Sequence, residues 1–160
     1  MMNKRALLKK IIAQLDAELA LYAKAARAAH AEATHEQNKA ENKYDTRGLE
    51  ASYLARGQSK QAGEAATARD EFAALSARAF EPEEPISVGA LVELEGAGAR
   101  SWYFLGPRAG GLEIVLGAQE ILVITPPSPL GSQLMGRKAG ERLQLQLGGK
   151  NEAYRVVSVA

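Results

Sequence analysis

Apolar residues in the first half of the chain recur at alternating spacings of four and three positions. This period is typical of a coiled-coil seam, and here it continues for about four heptads. The first seam consists of Leu8, Ile12, Leu15, Leu19, Tyr22, Ala26, Ala29 and Ala33. A second seam, counted backwards, consists of Leu75, Phe72, Ala68, Ala65, Gln61, Gln58, Leu54 and Ala51. The pattern therefore predicts two long helices.

The two seams fit an antiparallel hairpin. Position numbers of facing residues must then have a nearly constant sum, and the pairs Leu8 with Leu75 and Ile12 with Phe72 meet this condition. The turn lies midway between facing residues, at half of this sum, which is near residue 41 or 42. Each arm has about 33 residues, or roughly 50 Å at 1.5 Å per residue. We therefore expect a long coiled-coil hairpin whose alanines let the helices approach closely near the turn.

Short apolar runs separated by turns follow in the second half of the chain. All six prolines and twelve of the fifteen glycines lie beyond Phe80. One short helix is predicted where Ser128 can act as N-cap, Pro129 as the first helical residue and Gly136 as the stop. The predicted strands cover residues 86–94, 102–105, 112–116, 120–124, 142–147 and 154–159. This pattern predicts an α+β protein whose second part is a small antiparallel sheet with one short helix.

The change in composition also predicts the domain boundaries. Residues 1–80 form the helical hairpin, with a polar tip near residues 36–45. Residues 81–85 form a linker, because each of its two prolines biases the preceding residue away from helix. Residues 86–160 form the sheet domain. Because no Gly-rich phosphate loop, nucleophile elbow or histidine occurs in this domain, we do not expect nucleotide or acyl-transfer chemistry there.

Composition narrows the function classes further. The 160 residues include no cysteine, which excludes disulfides and a thiolate metal site. They include only two histidines. A formal net charge of +1 favours no particular partner. No apolar run approaches the roughly 20 residues that cross a bilayer, so we expect a cytoplasmic protein.

The predicted hairpin tip is rich in oxygen ligands. Glu36, Glu41 and Asp45 gather there, and the neighbouring polar residues are Asn38, Asn42 and Tyr44. Carboxylates at the end of a long hairpin could deliver ligands to a hard cation such as Mg²⁺. A structural role is the favoured alternative: Asp45 is well placed to cap the second helix, and Glu36 to solvate the end of the first. His30 and His35, five positions apart, are expected to be surface groups.

The second half resembles a known family at several motifs. The segment 128–141, the alternating leucines of residues 143–147, Gly149 and the segment 152–159 resemble the C-terminal domain of the bacterial transcript-cleavage factors GreA and GreB. At the tip, Glu41, Asn42 and Tyr44 are similar to that family's Glu-Asn pair and nearby tyrosine. The resemblance extends to the order of parts, a helical hairpin followed by a sheet domain. It implies that the sheet domain is FKBP-like.

The resemblance implies a transcription elongation factor that binds RNA polymerase, is not itself an enzyme and acts as a monomer. Its sheet domain would dock at the rim of the polymerase secondary channel, and we assign docking to Ser128, Leu130, Gly136, Arg137 and Lys138. The hairpin would reach the active site and the nascent RNA 3′ end. Direct DNA binding is left open, because the basic residues of the first half are typical of a solvated helix face.

The resemblance also implies that the tip shares a Mg²⁺ ion with the polymerase active site, so that the polymerase cleaves its own backtracked RNA. We expect no cofactor on the protein alone. Glu41 and Asp45 are the candidate ligands, supported by Asn38, Asn42, Tyr44 and Glu36. The family has an aspartate where this chain has Asn38, and a neutral amide is a weaker ligand than a carboxylate.

Three other functions are compatible with these residues. Asn38 favours a secondary-channel regulator that does not stimulate cleavage. An FKBP-like domain could be a prolyl isomerase or chaperone, although consecutive strand residues such as Trp102, Tyr103 and Phe104 point to opposite faces. The hairpin could also pair with other coiled coils as a partner module.

Overall fold

A computed structural model describes residues 3–34 and 47–160, with side chains described for 3–33 and 51–160. Two long helices come first, α1 (Lys4–Thr34) and α2 (Arg47–Ala73). The strands are β1 (Leu91–Gly96), β2 (Ala99–Leu105), β3 (Glu113–Leu116), β4 (Gln119–Ile124), β5 (Arg142–Leu147) and β6 (Lys150–Val159), and α3 (Pro129–Leu134) precedes β5. The predicted helical hairpin and sheet with one short helix are thereby confirmed. No described helix is long and apolar enough to span a membrane.

The six strands form one mixed sheet in the order β3-β4-β2-β1-β6-β5. The pairs β1/β2, β1/β6, β3/β4 and β5/β6 are antiparallel, as expected for strands joined by turns. However, β2 and β4 are parallel, which corrects the wholly antiparallel sheet predicted from the sequence. After β2 the chain reverses and forms β3 at the edge of the sheet, leaving a gap next to β2. It then reverses again, and β4 fills the gap between β3 and β2. Two reversals bring β4 back parallel to β2.

Three strands begin at least three residues away from their predicted starts. β1 begins at Leu91 rather than at residue 86, because Gly89 makes a turn at φ +96° and the Ile86 amide bonds outside the sheet, to Arg137 O at 2.7 Å. β2 and β6 begin three and four residues earlier than predicted, at Ala99 and Lys150. In both cases tight turns continue strand pairing to the ends of the hairpins.

The contacts divide the chain into two compact units. The first, which we call the sheet unit, consists of Met1–Ile11 and Glu71–Ala160. The second, the shaft, consists of Ile12–Asp70. The division falls within α1 and α2, whereas the domain boundaries predicted from composition lie at residues 81–85.

One face of the sheet forms the main core. Val92 and Leu94 of β1 are buried there with residues of β2, β4, β5 and β6. Leu130 and Leu134 of α3 cover this face. Leu134 is 0% exposed and anchors the short helix to this face.

The other face of the sheet is covered in part by the ends of the long helices. Phe72 of α2 is fully buried there, and the Phe72 and Phe104 ring centroids lie 6.2 Å apart. Leu7 and Ile11 of α1, which belong to the same unit, are also fully buried. A Cβ on Gly106 would lie 2.6 Å from Phe72 Cζ, so only glycine allows the aromatic ring this close. The ends of the hairpin therefore belong to the core of the sheet unit.

In the shaft, the first predicted seam is correct, because all of its described positions are buried or half-buried. The Arg69 Nε and Asp16 Oδ1 atoms lie 2.8 Å apart and confirm the antiparallel register. The second seam needs a correction. Ala55 is buried and Leu54 is 55% exposed, while Ala62 is half-buried and Gln61 exposed. The spacings of four and three therefore occur in the opposite order between residues 51 and 65.

Candidate functional site

Helix α3 begins at a cap that the sequence predicts correctly. The Ser128 Oγ accepts a hydrogen bond from the Gly131 amide at 3.0 Å and donates one to Thr125 O at 2.6 Å. Pro129 occupies the first helical position, where its missing amide proton has no cost. A Cβ on Gly131 would lie 1.9 Å from Thr125 O, so the turn before the helix requires glycine there. The Ser128 hydroxyl is thus fully used within the protein.

The loop after α3 is fixed by its backbone. Gly136 has φ +82°, and its amide donates to Ile86 O at 2.9 Å while Ile86 N donates to Arg137 O at 2.7 Å. The Lys138 amide donates to Glu141 Oε2 at 2.7 Å. The side chains of Arg137 and Lys138 are exposed. This loop therefore presents two positive charges on a rigid backbone.

The five predicted docking residues therefore lie in two environments. Leu130 is 8% exposed and belongs to the core, and Ser128 caps the helix. Gly136, Arg137 and Lys138 lie at the surface in the fixed loop. Of the five, these last three are accessible to a partner.

An open groove lies between the two helices of the shaft. It has a volume of about 760 Å³, and its lining includes Ala26 and Ala55, one from each helix. Arg27, His30 and Arg56 bring positive or titratable groups to it, together with Ser52 and Ser59. The Arg56 guanidinium also stacks over the Tyr53 ring at 5.5 Å. Such a groove can accept a phosphate-bearing chain.

Sequence reasoning did not identify this groove. It took Arg27 and Arg56 as members of a solvated face and His30 as an isolated surface group. The available signal was the spacing of three between Arg27 and His30, matched by Ser52, Arg56 and Ser59 on the facing helix. Residues three or four apart share one helix face, but only the hairpin register shows that the two sets face each other.

The predicted tip residues lie outside the described residues. This applies to Glu36, Asn38, Glu41, Asn42, Tyr44 and Asp45, and also to His35. Among the side chains described, those of residues 3–33 and 51–160, no group of three His, Asp or Glu could hold a metal ion. The donor set at the tip can be judged by its chemistry alone: the Glu41 and Asp45 carboxylates suit Mg²⁺, and the Asn38 amide suits it less.

A lysine is buried at the beginning of α1. The Lys4 side chain donates to Arg78 O at 2.8 Å, and its ammonium lies 4.7 Å from the centre of the Phe80 ring. Burial, and next the Arg78 charge, lowers the pKa of Lys4 to about 8. Arg78 stacks on the same ring and forms two hydrogen bonds with Glu84, which lower the pKa of Glu84 to about 2. These contacts tie the start of α1 to the segment before the sheet.

The three aromatic residues of β2 do not share one face of the sheet. Phe104 is fully buried against Phe72, and Trp102 lies on the same face of the sheet. Tyr103 packs on the opposite face with the main core. The three aromatic side chains are therefore divided between two faces, as strand alternation predicts.

Comparison with known proteins gives similarity to solved structures alone; no family model and no curated protein matches the chain. The chain is similar to Gfh1 and to GreA/GreB factors. For Gfh1 (GreA factor homolog 1) of Thermus thermophilus, identity is 22%, coverage is 93% of this chain and 94% of that one, and the TM-score is 0.38. For Thermus aquaticus Gfh1, identity is 23%, coverage is 94% of this chain and 92% of that one, and the TM-score is 0.39. For a GreA/GreB elongation factor from Nitrosomonas europaea, identity is 17%, coverage is 60% of this chain and 78% of that one, and the TM-score is 0.37.

Proposed function

We propose that the protein is a transcription elongation factor that binds bacterial RNA polymerase at the secondary channel. The supporting observation is the motif that begins at Ser128, because each of its signals has the structural role that the resemblance implies. Ser128 caps α3, Gly136 ends it with a positive φ, and the alternating leucines form β5. A two-helix hairpin precedes this domain in the same chain, as in the family that it resembles.

In this proposal the two parts of the molecule have different tasks. The fixed loop with Gly136, Arg137 and Lys138 contacts the rim of the channel. The shaft enters the channel, and its groove with Arg27 and Arg56 faces the phosphates of the RNA 3′ segment, since arginines suit phosphate contacts. The protein acts in the cytoplasm as a monomer and is not itself an enzyme.

The tip decides the effect on the polymerase. When Mg²⁺ is bound, it supplies charge stabilisation for the attacking and leaving oxygens of RNA hydrolysis. Glu41 and Asp45 would hold the ion from the protein side, with Asn42, Tyr44 and Glu36 as polar support. With Asn38, the tip has one carboxylate fewer than the family pattern. This specific difference favours a second candidate function, in which the protein occupies the channel and regulates transcription without cleavage.

The proposal is tested by two measurements on the full chain. The first is binding of a fluorescently labelled protein to core RNA polymerase, which must be saturable. The second is RNA cleavage by stalled, backtracked elongation complexes. Glu41→Ala and Asp45→Ala should reduce cleavage far more than affinity, as expected for contacts made mainly in the transition state. Asn38→Asp should increase cleavage.

Glu64→Ala is the matched control, because Glu64 is an exposed carboxylate of the shaft far along α2 from the tip. It should change neither measurement. Binding without cleavage, with Glu41→Ala equal to the parent, would select the regulator that only occupies the channel. Absence of binding to the polymerase would refute both functions.

A further inference from the structure

A row of charged side chains crosses the face of the sheet opposite α3. In β1, Leu91, Glu93 and Glu95 alternate with core residues and therefore share this face. Glu95 is paired in register with Arg100 of β2 and with Arg155 of β6. Arg155 is in turn paired with Arg142 of β5. We call Glu93, Glu95, Arg100, Arg142 and Arg155 the open sheet face.

The arginines of the open sheet face are not equally neutralised. Arg155 Nη2 lies 2.8 Å from Glu95 Oε2, and Arg100 Nη1 lies 2.9 Å from Glu93 Oε1. The hydrogen bond from Arg155 is the main cause of the lowered pKa of Glu95. In the part of the chain that the structure describes, no hydrogen bond or ion pair engages the guanidinium of Arg142.

Arg142 also stands directly opposite Arg155, with which it shares a face. Like charges at directly opposed positions of neighbouring strands destabilise a sheet, because their Cβ atoms are only about 5 Å apart. An anion that binds between the two guanidinium groups would remove this repulsion. Arg142 is exposed, so its guanidinium is accessible to a carboxylate from outside the chain, next to the Arg155–Glu95 pair.

An apolar cleft adjoins the charged row on the same face. It encloses about 700 Å³ and includes Leu91, Trp102 and Leu116 in its lining, together with Glu93. Glu93 is paired in register with Trp102 and so joins the cleft to the charged row. Trp102 is half-buried, and no described residue accepts a hydrogen bond from its indole N–H. An apolar side chain with a nearby acceptor would complement this cleft.

We propose that the open sheet face and the Trp102 cleft form a docking surface for an acidic protein segment that carries one apolar side chain. The carboxylates of the segment bind Arg142 and Arg155, and the apolar side chain enters the cleft. A nucleic acid fits less well, because its regularly spaced phosphates would pass over Glu93 and Glu95, whereas a peptide can place its carboxylates at the arginines and its apolar side chain beside Glu93. This surface is separate from the proposed polymerase contact, since α3 covers the opposite face of the sheet.

The test uses a fluorescein-labelled peptide of about twelve residues, composed of Glu and Ser with one central Leu. Binding to the full-length protein is followed by anisotropy. Trp102 is the only tryptophan of the chain, so its emission reports independently on occupation of the cleft. We expect saturable binding that weakens with added salt, a change in Trp102 emission, and a loss of affinity of about tenfold with Arg142→Glu.

Lys150→Glu is the matched control. This variant makes the same charge reversal in the same domain. Lys150 is paired with Leu147, whose side chain packs on the main core, so Lys150 does not belong to the open sheet face. It should leave affinity within about twofold of the parent. A peptide with Gly in place of Leu should bind more weakly and leave Trp102 emission unchanged.

Three results would overturn the proposal. The first is no saturable binding up to about 1 mM peptide. The second is equal weakening by Arg142→Glu and Lys150→Glu, which would mean that only net charge matters. The third is a single-stranded RNA oligomer that binds more tightly than the peptide and loses affinity with Arg142→Glu. Because the assay contains no polymerase, its outcome is independent of the proposed function.

Discussion

The sheet unit and the shaft bury different kinds of side chain. In the sheet unit, large residues such as Leu7, Phe72 and Phe104 are fully buried. In the shaft, six of the seven buried apolar residues that the structure describes are alanines, and the exception is Leu15. Because apolar stabilisation grows with the area removed from water, each buried position of the shaft contributes less. A buried position therefore contributes less to the free energy of unfolding in the shaft than in the sheet unit, although both units have regular secondary structure.

The difference suggests what each unit requires. The sheet unit has a packed core beneath α3, which holds its backbone rigidly. In the shaft, alanines at the buried positions keep the helix pair narrow at a cost in stability. Under the proposed function, the first property would suit docking and the second would suit entry into a channel. If this comparison is correct, substitutions in the core of the sheet unit should have large effects and those in the shaft small ones.

The largest effect is expected for Leu134→Asp. Leu134 is 0% exposed and packs among the residues of the main core. An unpaired charge in such a core costs several kcal/mol, so we expect the sheet unit to unfold. Near-ultraviolet circular dichroism of Trp102 during thermal denaturation measures this. Ser132→Asp, on the exposed side of α3, is the control and should melt near the parent temperature. If Leu134→Asp melts like the parent, the core is wrongly placed.

A second large effect is expected for Phe72→Ala. Although Phe72 belongs to α2, it packs on Phe104 and Gly106 of the sheet unit. Removing its ring should destabilise the sheet unit by about 3–5 kcal/mol, the usual range for a buried Phe→Ala change. Urea denaturation followed by Trp102 fluorescence is the measurement. Leu54→Ala, at an exposed position of the same helix, should cost less than about 0.5 kcal/mol. An unchanged urea midpoint for Phe72→Ala would show that the end of α2 does not stabilise the sheet unit.

These contacts also show what the sequence could and could not predict. The first seam and the short helix were predictable, because local periodicity and capping residues determine them. In the second seam, periodicity alone placed Leu54 inside and left Ala55 out. Close helix approach favours the smaller residue, and this depends on the partner helix. The parallel pairing of β2 with β4 was likewise unpredictable, since register between strands that are not neighbours in the chain leaves no local pattern.

The candidate site was predictable to a similar degree. The cap at Ser128 and the surface loop at Arg137 and Lys138 follow from short-range signals. Burial of Leu130 could not be read from its neighbours, because it depends on which side of α3 faces the sheet. The opposition of Arg142 and Arg155 depends on hairpin register, and the groove of the shaft on the pairing of two distant helices. The tip stays a prediction from sequence.

A smaller effect, visible as a pH dependence, is expected at Lys4. Burial lowers its pKa from 10.5 to about 8 in the folded protein. Between these two values the unfolded chain keeps a proton that the folded protein has lost, so unfolding takes up a proton. The stability of the parent relative to Lys4→Met should therefore be constant below about pH 8 and rise from there to about pH 10.5. Urea midpoints at several pH values measure it. Lys9→Met, at an exposed lysine of the same helix, controls for the loss of one positive charge. A flat difference for Lys4→Met would contradict the prediction.

The smallest expected effect lies in the shaft and has the opposite sign. Gly57 and Gly63 occupy exposed interior positions of α2, and a Cβ at either would meet nothing within 4 Å. Glycine in a helix interior costs about 1 kcal/mol relative to alanine, and no close contact requires it here. Gly57→Ala and Gly63→Ala should therefore each stabilise the shaft by about 1 kcal/mol. Native-state hydrogen exchange of α2 amides measures this directly, and amides of β1 in the sheet unit serve as the internal control. Equal slowing of exchange in both units would show that they unfold together, and the contrast between a firm sheet unit and a weaker shaft would then be wrong.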